Sequence, residues 1–198
     1  MILVIDTSSA MSALALLDAS RRPVREAMYP SGRTFDLPAA FRDLAGDEAL
    51  TAVAVATGPG SFTGLRTGVS FGLGLAMGLR IPIVPLATLG LQSARSEEPA
   101  LAVAEAGRGR VYFLTPGGEE GLAEPGELPK NIPQDLPVVG WLRPATVEAL
   151  SAAGFRFKPE SELRSFASAA AHVLESADEV PYGSLRLKYM QSFSAPRA

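Results

Sequence analysis

Gly58-Pro59-Gly60-Ser61-Phe62-Thr63-Gly64-Leu65-Arg66 is the stretch on which the fold turns. Before it runs Ala52 to Thr57, a continuous small-apolar segment of the kind found in a strand covered on both faces. After it, Phe62 to Leu79 reads as one long glycine-rich helix. The glycines between them permit positive φ and close backbone approach, which a tight strand-to-helix corner requires. Strand, turn and helix in that order predict an α/β protein.

Upstream, Ile2 to Ile5, Ser12 to Leu17 and Val24 to Tyr29 are short β-type runs. Ser8-Ser9 and Asp18-Ala19-Ser20-Arg21-Arg22-Pro23 separate them, so they predict an antiparallel meander. From Asp36 to Ala45, Leu37, Ala40, Phe41 and Leu44 fall at helical spacing, with Asp36 as N-cap. Downstream, Pro82 stops the glycine-rich helix, Ile83 to Pro85 forms a short strand, and Thr88 is placed to cap a helix reaching about Ser96. The order β-β-β-α-β-α-β-α implies a mixed sheet whose later strands join in parallel through right-handed crossovers. It fits the ribonuclease-H-like half of the actin-like ATPase (ASKHA) fold.

Glu97-Glu98-Pro99 reads as a boundary, giving an N-terminal lobe over residues 1–98 and a smaller, degenerate C-terminal lobe over 99–198. The second lobe opens with a hairpin, Leu101 to Ala104 and Val111 to Thr115 around Ala106-Gly107-Arg108-Gly109. Pro116 to Pro137 is rich in Gly, Pro and Glu and predicts exposed loop or a ragged insertion rather than core. Helices are expected over Pro144 to Ala153 and Ser165 to Ser176. Leu185 to Met190 alternates and reads either as a short strand or as a terminal clip packed back on the fold. The sequence carries no internal repeat.

Bulk composition excludes several classes. A chain of 198 residues, 47% hydrophobic and 20% charged, buries a core without staples. It has no cysteine, hence no disulfide, thiolate zinc site or cysteine nucleophile. Met1 leads straight into a strand with no signal-peptide pattern, and Leu50 to Leu79 is broken by Pro59, Arg66 and seven glycines. A cytoplasmic protein away from the membrane is the expectation. With a formal charge of −3, stand-alone nucleic-acid binding is disfavoured, and any RNA is expected to be held by another chain.

Three constellations carry candidate chemistry. Asp6-Thr7-Ser8-Ser9 puts an acid and hydroxyls at a strand end, either to meet nucleotide phosphates and Mg²⁺ or to close a turn on their own backbone. The Gly58 turn is either a phosphate cradle at a helix start or a tight corner; it lacks a Walker lysine, and Arg66 is the nearby cation. Within the helix, Gly64, Gly68, Gly72 and Ala76 fall four apart, with Gly74 and Gly78 on a second small stripe. Interior glycine costs about 1 kcal/mol against alanine, so something must come close, either the protein's own sheet or a partner helix. Glu105, Arg108, Arg110 and Tyr112 surround the second-lobe hairpin. His172 is the one histidine, so no metal set and no Ser-His-Asp set can be assembled.

Ile2-Leu3-Val4-Ile5-Asp6-Thr7-Ser8, the Gly58 to Ser70 string and Ile81-Pro82-Ile83-Val84-Pro85-Leu86-Ala87-Thr88-Leu89 together resemble the TsaB (YeaZ) family. The likeness is strong from Met1 to Leu91. Beyond, Ala104 to Tyr112 resembles a drifted form of the family's Asp-Ala-Arg-x-x-Glu-Val-Tyr segment. The resemblance implies a non-catalytic partner of the transferase TsaD in forming tRNA N6-threonylcarbamoyladenosine, with the ATPase TsaE joining the pair. It implies a heterodimer with a TsaD homologue, a homodimer in isolation, and tRNA reached only through the complex. It implies no metal and no tightly bound cofactor, with ATP or ADP expected only at the boundary with TsaD. The residues expected at such a nucleotide are Asp6, Thr7, Ser8 and Glu105; those expected at the partner interface are Phe41, Gly64, Gly68, Gly72 and Ala76. Gly32-Arg33-Thr34-Phe35-Asp36 stands where many relatives have a His-Ser-Glu-type stretch, so no role is carried to it. The rival readings are an actin-fold ATPase, kinase or peptidase acting alone, for which only Asp6 and Glu105 are on hand, and a stand-alone RNA-binding module.

Overall fold

β1 (Ile2–Asp6) and β4 (Ala52–Ala56) lie parallel at the middle of a five-stranded sheet. The computed structural model of the protein describes residues 1–129 and 131–189. β2 (Met11–Leu17) runs antiparallel to β1, and β3 (Pro23–Pro30) antiparallel to β2. β5 (Ile83–Leu86) lies parallel to β4, so the order is β3-β2-β1-β4-β5. Alternation along the strands sends Leu3, Ile5, Val53 and Val55 to one face and Val4, Ala54 and Ala56 to the other. α1 (Leu37–Ala45) and α2 (Phe62–Leu79) cover the first face. α5 (Phe166–Leu174) covers the second. Both faces of β4 are therefore dry, which is why its sequence alternates only between valine and alanine.

α1 starts where the Asp36 carboxylate accepts the Ala39 N–H at 3.0 Å. Leu37, Ala40 and Leu44 are buried, and Phe41 sits half-buried, edge-on to Phe71 with ring centroids 5.6 Å apart. α3 (Thr88–Ser93) is shorter than the sequence suggests. Thr88 does not cap it; its hydroxyl turns inward and donates to Ser8 Oγ at 3.2 Å.

A second sheet holds β6 (Leu101–Gly107), β7 (Arg110–Leu114), β8 (Glu120–Ala123) and β9 (Val138–Val139), in the order β8-β7-β6-β9. β9 pairs parallel with β6, so this sheet repeats the first four positions of the first sheet, a duplication visible in topology and not in sequence. Arg108 and Gly109, at φ 54 and 72, form the two-residue turn between β6 and β7. α4 (Pro144–Ala152) packs beside this sheet, with Leu150 in its core.

Two expectations change here, and one open alternative is decided. The stretch 116–137 is not plain loop: β8 lies in it, and Leu128 and Ile132 are buried with Val103 and Phe113. Gly121 passes beneath the Phe113 ring, where an added Cβ would meet ring carbon at 2.4 Å, so glycine replaces the apolar alternation that marks a strand. The boundary at Glu98 separates the two sheets, yet α5 returns across it, placing Phe166, Ala167, Ala170 and Leu174 in the core of the first sheet. Leu185 to Tyr189 is a clip and not a strand: Lys188 N–H donates to Thr57 O at 2.8 Å. Met190 lies outside the described residues.

The glycine stripe of α2 faces inward. A Cβ on Gly64 would lie 1.9 Å from Thr7 O, one on Gly68 2.4 Å from Thr7 Oγ1, and one on Gly72 2.4 Å from Val55 Cγ1. Ala76 is wholly buried. These four positions are therefore the contact of α2 with its own sheet, which overturns their assignment as a partner surface; a large side chain there would test folding, not docking. Gly74 and Gly78 face open space. Gly64→Ala should lower the free energy of urea unfolding by about 2 kcal/mol or more, whereas Gly74→Ala should raise it by about 1 kcal/mol. Equal effects at the two sites would show that the helix is oriented differently.

Candidate functional site

At the end of β1 the chain folds back on itself. Ser8 donates to Asp6 Oδ1 through its amide at 2.9 Å and through its hydroxyl at 2.5 Å. Thr88 Oγ1 donates in turn to Ser8 Oγ, completing a buried relay from α3 to β1. Over this hairpin lies the Gly58–Gly64 turn. Ser61 N–H donates to Ser8 O at 2.7 Å, and Thr7 Oγ1 donates to Gly64 O at 2.7 Å. Gly60 must be glycine, because a Cβ there would meet Ser8 O at 2.5 Å.

Asp6 and Ser8 are therefore fully buried and Thr7 is 5% exposed. Of the residues expected at a nucleotide, these three lie closed off beneath the turn in this arrangement. Asp6 Oδ2 has no hydrogen-bond partner among the described residues. Burial pushes the Asp6 carboxyl above the usual carboxylate range, and the two Ser8 hydrogen bonds offset this only in part. Beneath the turn and bonded to Ser8, the carboxyl has no side open to a ligand.

The open cleft lies elsewhere, between the start of α2 and the second sheet. Its volume is about 650 Å³, and Phe62, Arg66, Glu105, Tyr112, Arg143 and Tyr189 contribute side chains to its wall. Of the four residues expected at a nucleotide, only Glu105 reaches it. There the Glu105 carboxylate accepts the Arg143 N–H at 2.6 Å and the Thr146 hydroxyl at 3.0 Å, and pairs with Arg143 Nε at 3.3 Å. Glu105 thus fastens β6 to the first turn of α4. Phe62, Arg143 and Tyr189 were not picked out by sequence reasoning. No spacing links positions 62, 143 and 189, and only the clip formed by Leu185 to Tyr189 brings the last ring onto the first.

Among the described residues no group of three His, Cys, Asp or Glu side chains is placed to hold a metal ion. His172 sits at the surface, 3.6 Å from Glu175. No helix among the described residues is long and apolar enough to cross a membrane.

Comparison with known proteins adds the following. The family model described as TsaD, tRNA N6-adenosine threonylcarbamoyltransferase, matches residues 43–124. TsaB of Escherichia coli, a tRNA threonylcarbamoyladenosine biosynthesis protein, is 29% identical over 57% of this chain and 53% of its own length. TsaB of Haemophilus influenzae is 32% identical over 57% of this chain and 52% of its own. The chain thus matches about half the length of each of these relatives. The solved structure of YeaZ from Pseudomonas aeruginosa superposes with a TM-score of 0.71, at 23% identity, over 95% of this chain and 98% of that one. A second structure, of an uncharacterized protein with similarity to peptidase YeaZ from Pseudomonas aeruginosa, also gives 0.71, at 22% identity over 96% and 99% of the two chains. The structures share the fold, and with the TsaD-type match they support its actin-like class.

The raised carboxyl has a measurable consequence. A folded-state pKa above the unfolded one means that Asp6 favours folding below its ordinary value of 3.8 and that this contribution is lost as pH rises through the folded value. Asp6→Asn keeps the Oδ1 acceptor and cannot ionise. Urea midpoints measured from acid to neutral pH should therefore fall more steeply, or rise less, for the wild type than for Asp6→Asn. Parallel profiles would show that Asp6 titrates normally.

Proposed function

We propose that this chain, a relative of the TsaB (YeaZ) proteins, is a non-catalytic scaffold for the cytoplasmic formation of threonylcarbamoyladenosine in tRNA. In this reading it pairs with a TsaD homologue, the pair admits a TsaE homologue, and tRNA is reached through the assembly. In the absence of TsaD a second copy takes the same face. The observation that carries the non-catalytic part is the sealed hairpin. Asp6, Thr7 and Ser8 lie buried beneath the Gly58–Gly64 turn. An actin-type phosphotransferase needs that acid open to a metal-bound phosphate.

The docking surface moves, relative to the sequence expectation, to the outward side of α2 and the rim of α1. Gly74 and Gly78 have open space beyond them, while Met77 is 54% and Leu79 53% exposed. A helix offering small residues flanked by exposed apolar ones lets another helix approach closely. Phe41, half-buried against Phe71 on the neighbouring helix, extends this surface toward α1. Any ATP or ADP would belong to the boundary with the TsaD homologue and not to Asp6.

Omission decides the activity. In a reconstitution containing the TsaD and TsaE homologues, the adenylate-forming enzyme and tRNA, leaving this chain out should abolish modified product. Undiminished product would sink the scaffold role. Gly74→Arg and Met77→Asp, both at solvent-facing positions, should weaken co-purification with the TsaD homologue about tenfold or more while preserving the urea midpoint. Steady ATP turnover by the chain alone, lost in Asp6→Asn, would instead favour an enzyme.

A further inference from the structure

A smaller opening, of about 330 Å³, lies on the β3 side of α1, where the end of β3 and the loop 31–36 meet that helix. β3 is the edge strand of its sheet, so no further strand closes this flank. Tyr29 and Phe35 stand on the wall as half-buried rings, their centroids 5.4 Å apart at 35°. Ala39 and Ala40 line the opening from the helix, and their short side chains leave it deep. A volume at the lower end of the range for ligand sites suits one side chain or one compact molecule.

The charge of this opening has one sign. Its charged side chains are Asp36 and Asp43, which bracket the two alanines along one face of α1. Asp36 Oδ1 accepts the Ala39 N–H and so covers the positive end of the helix, leaving its second oxygen free to face the opening. Arg33 and Arg42 are close in sequence, yet neither lines the opening, and among the described residues neither pairs with Asp36 or Asp43. Two carboxylates beside two aromatic faces attract a cation twice, through charge and through the ring quadrupole.

We propose that this opening takes the arginine side chain of a partner protein, its guanidinium laid on the Tyr29 and Phe35 rings and paired with Asp43. An anion would be repelled by both carboxylates, and a neutral apolar ligand would cover them without giving them a partner. A divalent metal ion requires a shell of several oxygen ligands, and among the described residues no three acidic or histidine side chains gather to supply one. A guanidinium is flat and weakly hydrated, so it can lie on a ring while its N–H fork engages a carboxylate. The edge strand favours a partner segment over a free cation. Tyr29 and Pro30 end β3 and also form the wall, so an extended chain lying along that edge would carry a side chain to the opening. The site shares no residue with the outward side of α2 or with the Asp6 hairpin, so it and the scaffold role can fail separately.

Titration of the full-length chain with a short glycine peptide carrying one central arginine, followed through backbone amide resonances, tests this. The peptide should shift the amides of residues 29–43 and saturate with a Kd below about 1 mM. Its citrulline counterpart, nearly the same in shape but uncharged, should bind about tenfold more weakly or worse. Asp43→Asn, at an exposed position, and Phe35→Leu should each weaken binding about threefold or more, with urea midpoints confirming that both variants fold. Failure to saturate, equal binding of the citrulline peptide, or undiminished binding in folded Asp43→Asn overturns the proposal. Methylguanidinium binding as tightly as the arginine peptide also overturns it, because the opening would then serve a free cation.

Discussion

At Gly64 the backbone of α2 lies so near the Thr7 carbonyl that one added carbon would sit 1.9 Å from it. The same intimacy continues at Gly68, against Thr7 Oγ1, and at Gly72, against Val55 and Val53. Because α2 rides directly on the sheet for three turns, its first turn is driven down onto the β1 hairpin. There Ser61 bonds Ser8 and Thr7 bonds the carbonyl of Gly64. A helix with side chains on that face would stand farther off and leave a gap above Asp6. Close approach thus decides both the packing of the lobe and the burial of the β1 hairpin. The same tilt leaves Phe62 past the edge of the sheet, where it becomes a wall of the cleft.

The relation of the two sheets depends on a second, polar set of contacts at the end of α3. Arg95 is 2% exposed, pairs with Glu160 and lies 4.5 Å from the centre of the Trp141 ring, while Trp141 Nε1 donates to Glu160 at 3.4 Å. Arg164 pairs with Glu97 and donates to Ala94 O; Lys158 pairs with Glu98. Burial works to lower the pKa of Arg95, and Glu160 works to raise it. Arg95 and Lys158 are buried while their carboxylate partners Glu160 and Glu98 stay exposed, and pairs so open to water add little net stability and serve more to fix an arrangement. Here they specify the angle at which residues 141–164 meet the end of the first lobe. Arg95 Nε and Gln92 Nε2 lack partners among the described residues, so this seam is held at some desolvation cost.

Much of the first lobe was legible because its signals are local and periodic. The apolar runs at Ile2 and Ala52, the Asp36 cap and the glycine turn each report a backbone state through neighbouring residues, and each stands where the periodicity puts it. The direction of the glycine stripe was not legible. A spacing of four says that one face is small, and only the position of Val55 and Thr7 across the gap says what touches it. The burial of Asp6 was hidden for the same reason: Asp-Thr-Ser reads alike whether the turn above it is open or shut. In the second lobe, β8 was obscured by Gly121, which serves the Phe113 ring and interrupts the pattern of a strand. The return of α5 to the first sheet joins residues more than a hundred positions apart, as in the bond from Ala167 N–H to Glu26 at 2.7 Å.

The cleft arises from these two constraints acting together. α2 fixes Phe62 and Arg66 on one wall, while the Arg95 seam and the Glu105 link to α4 fix Arg143 on the other. The clip then carries Tyr189 across. Lys188 N–H holds Thr57 O, its carbonyl packs against Gly58, and its ammonium pairs with Glu120 of β8, so this residue touches both sheets. A chain segment tied at both sheets cannot follow one without the other. Lys188 thus links the Thr57–Gly58 turn that seals the hairpin to β8, the edge strand of the second sheet.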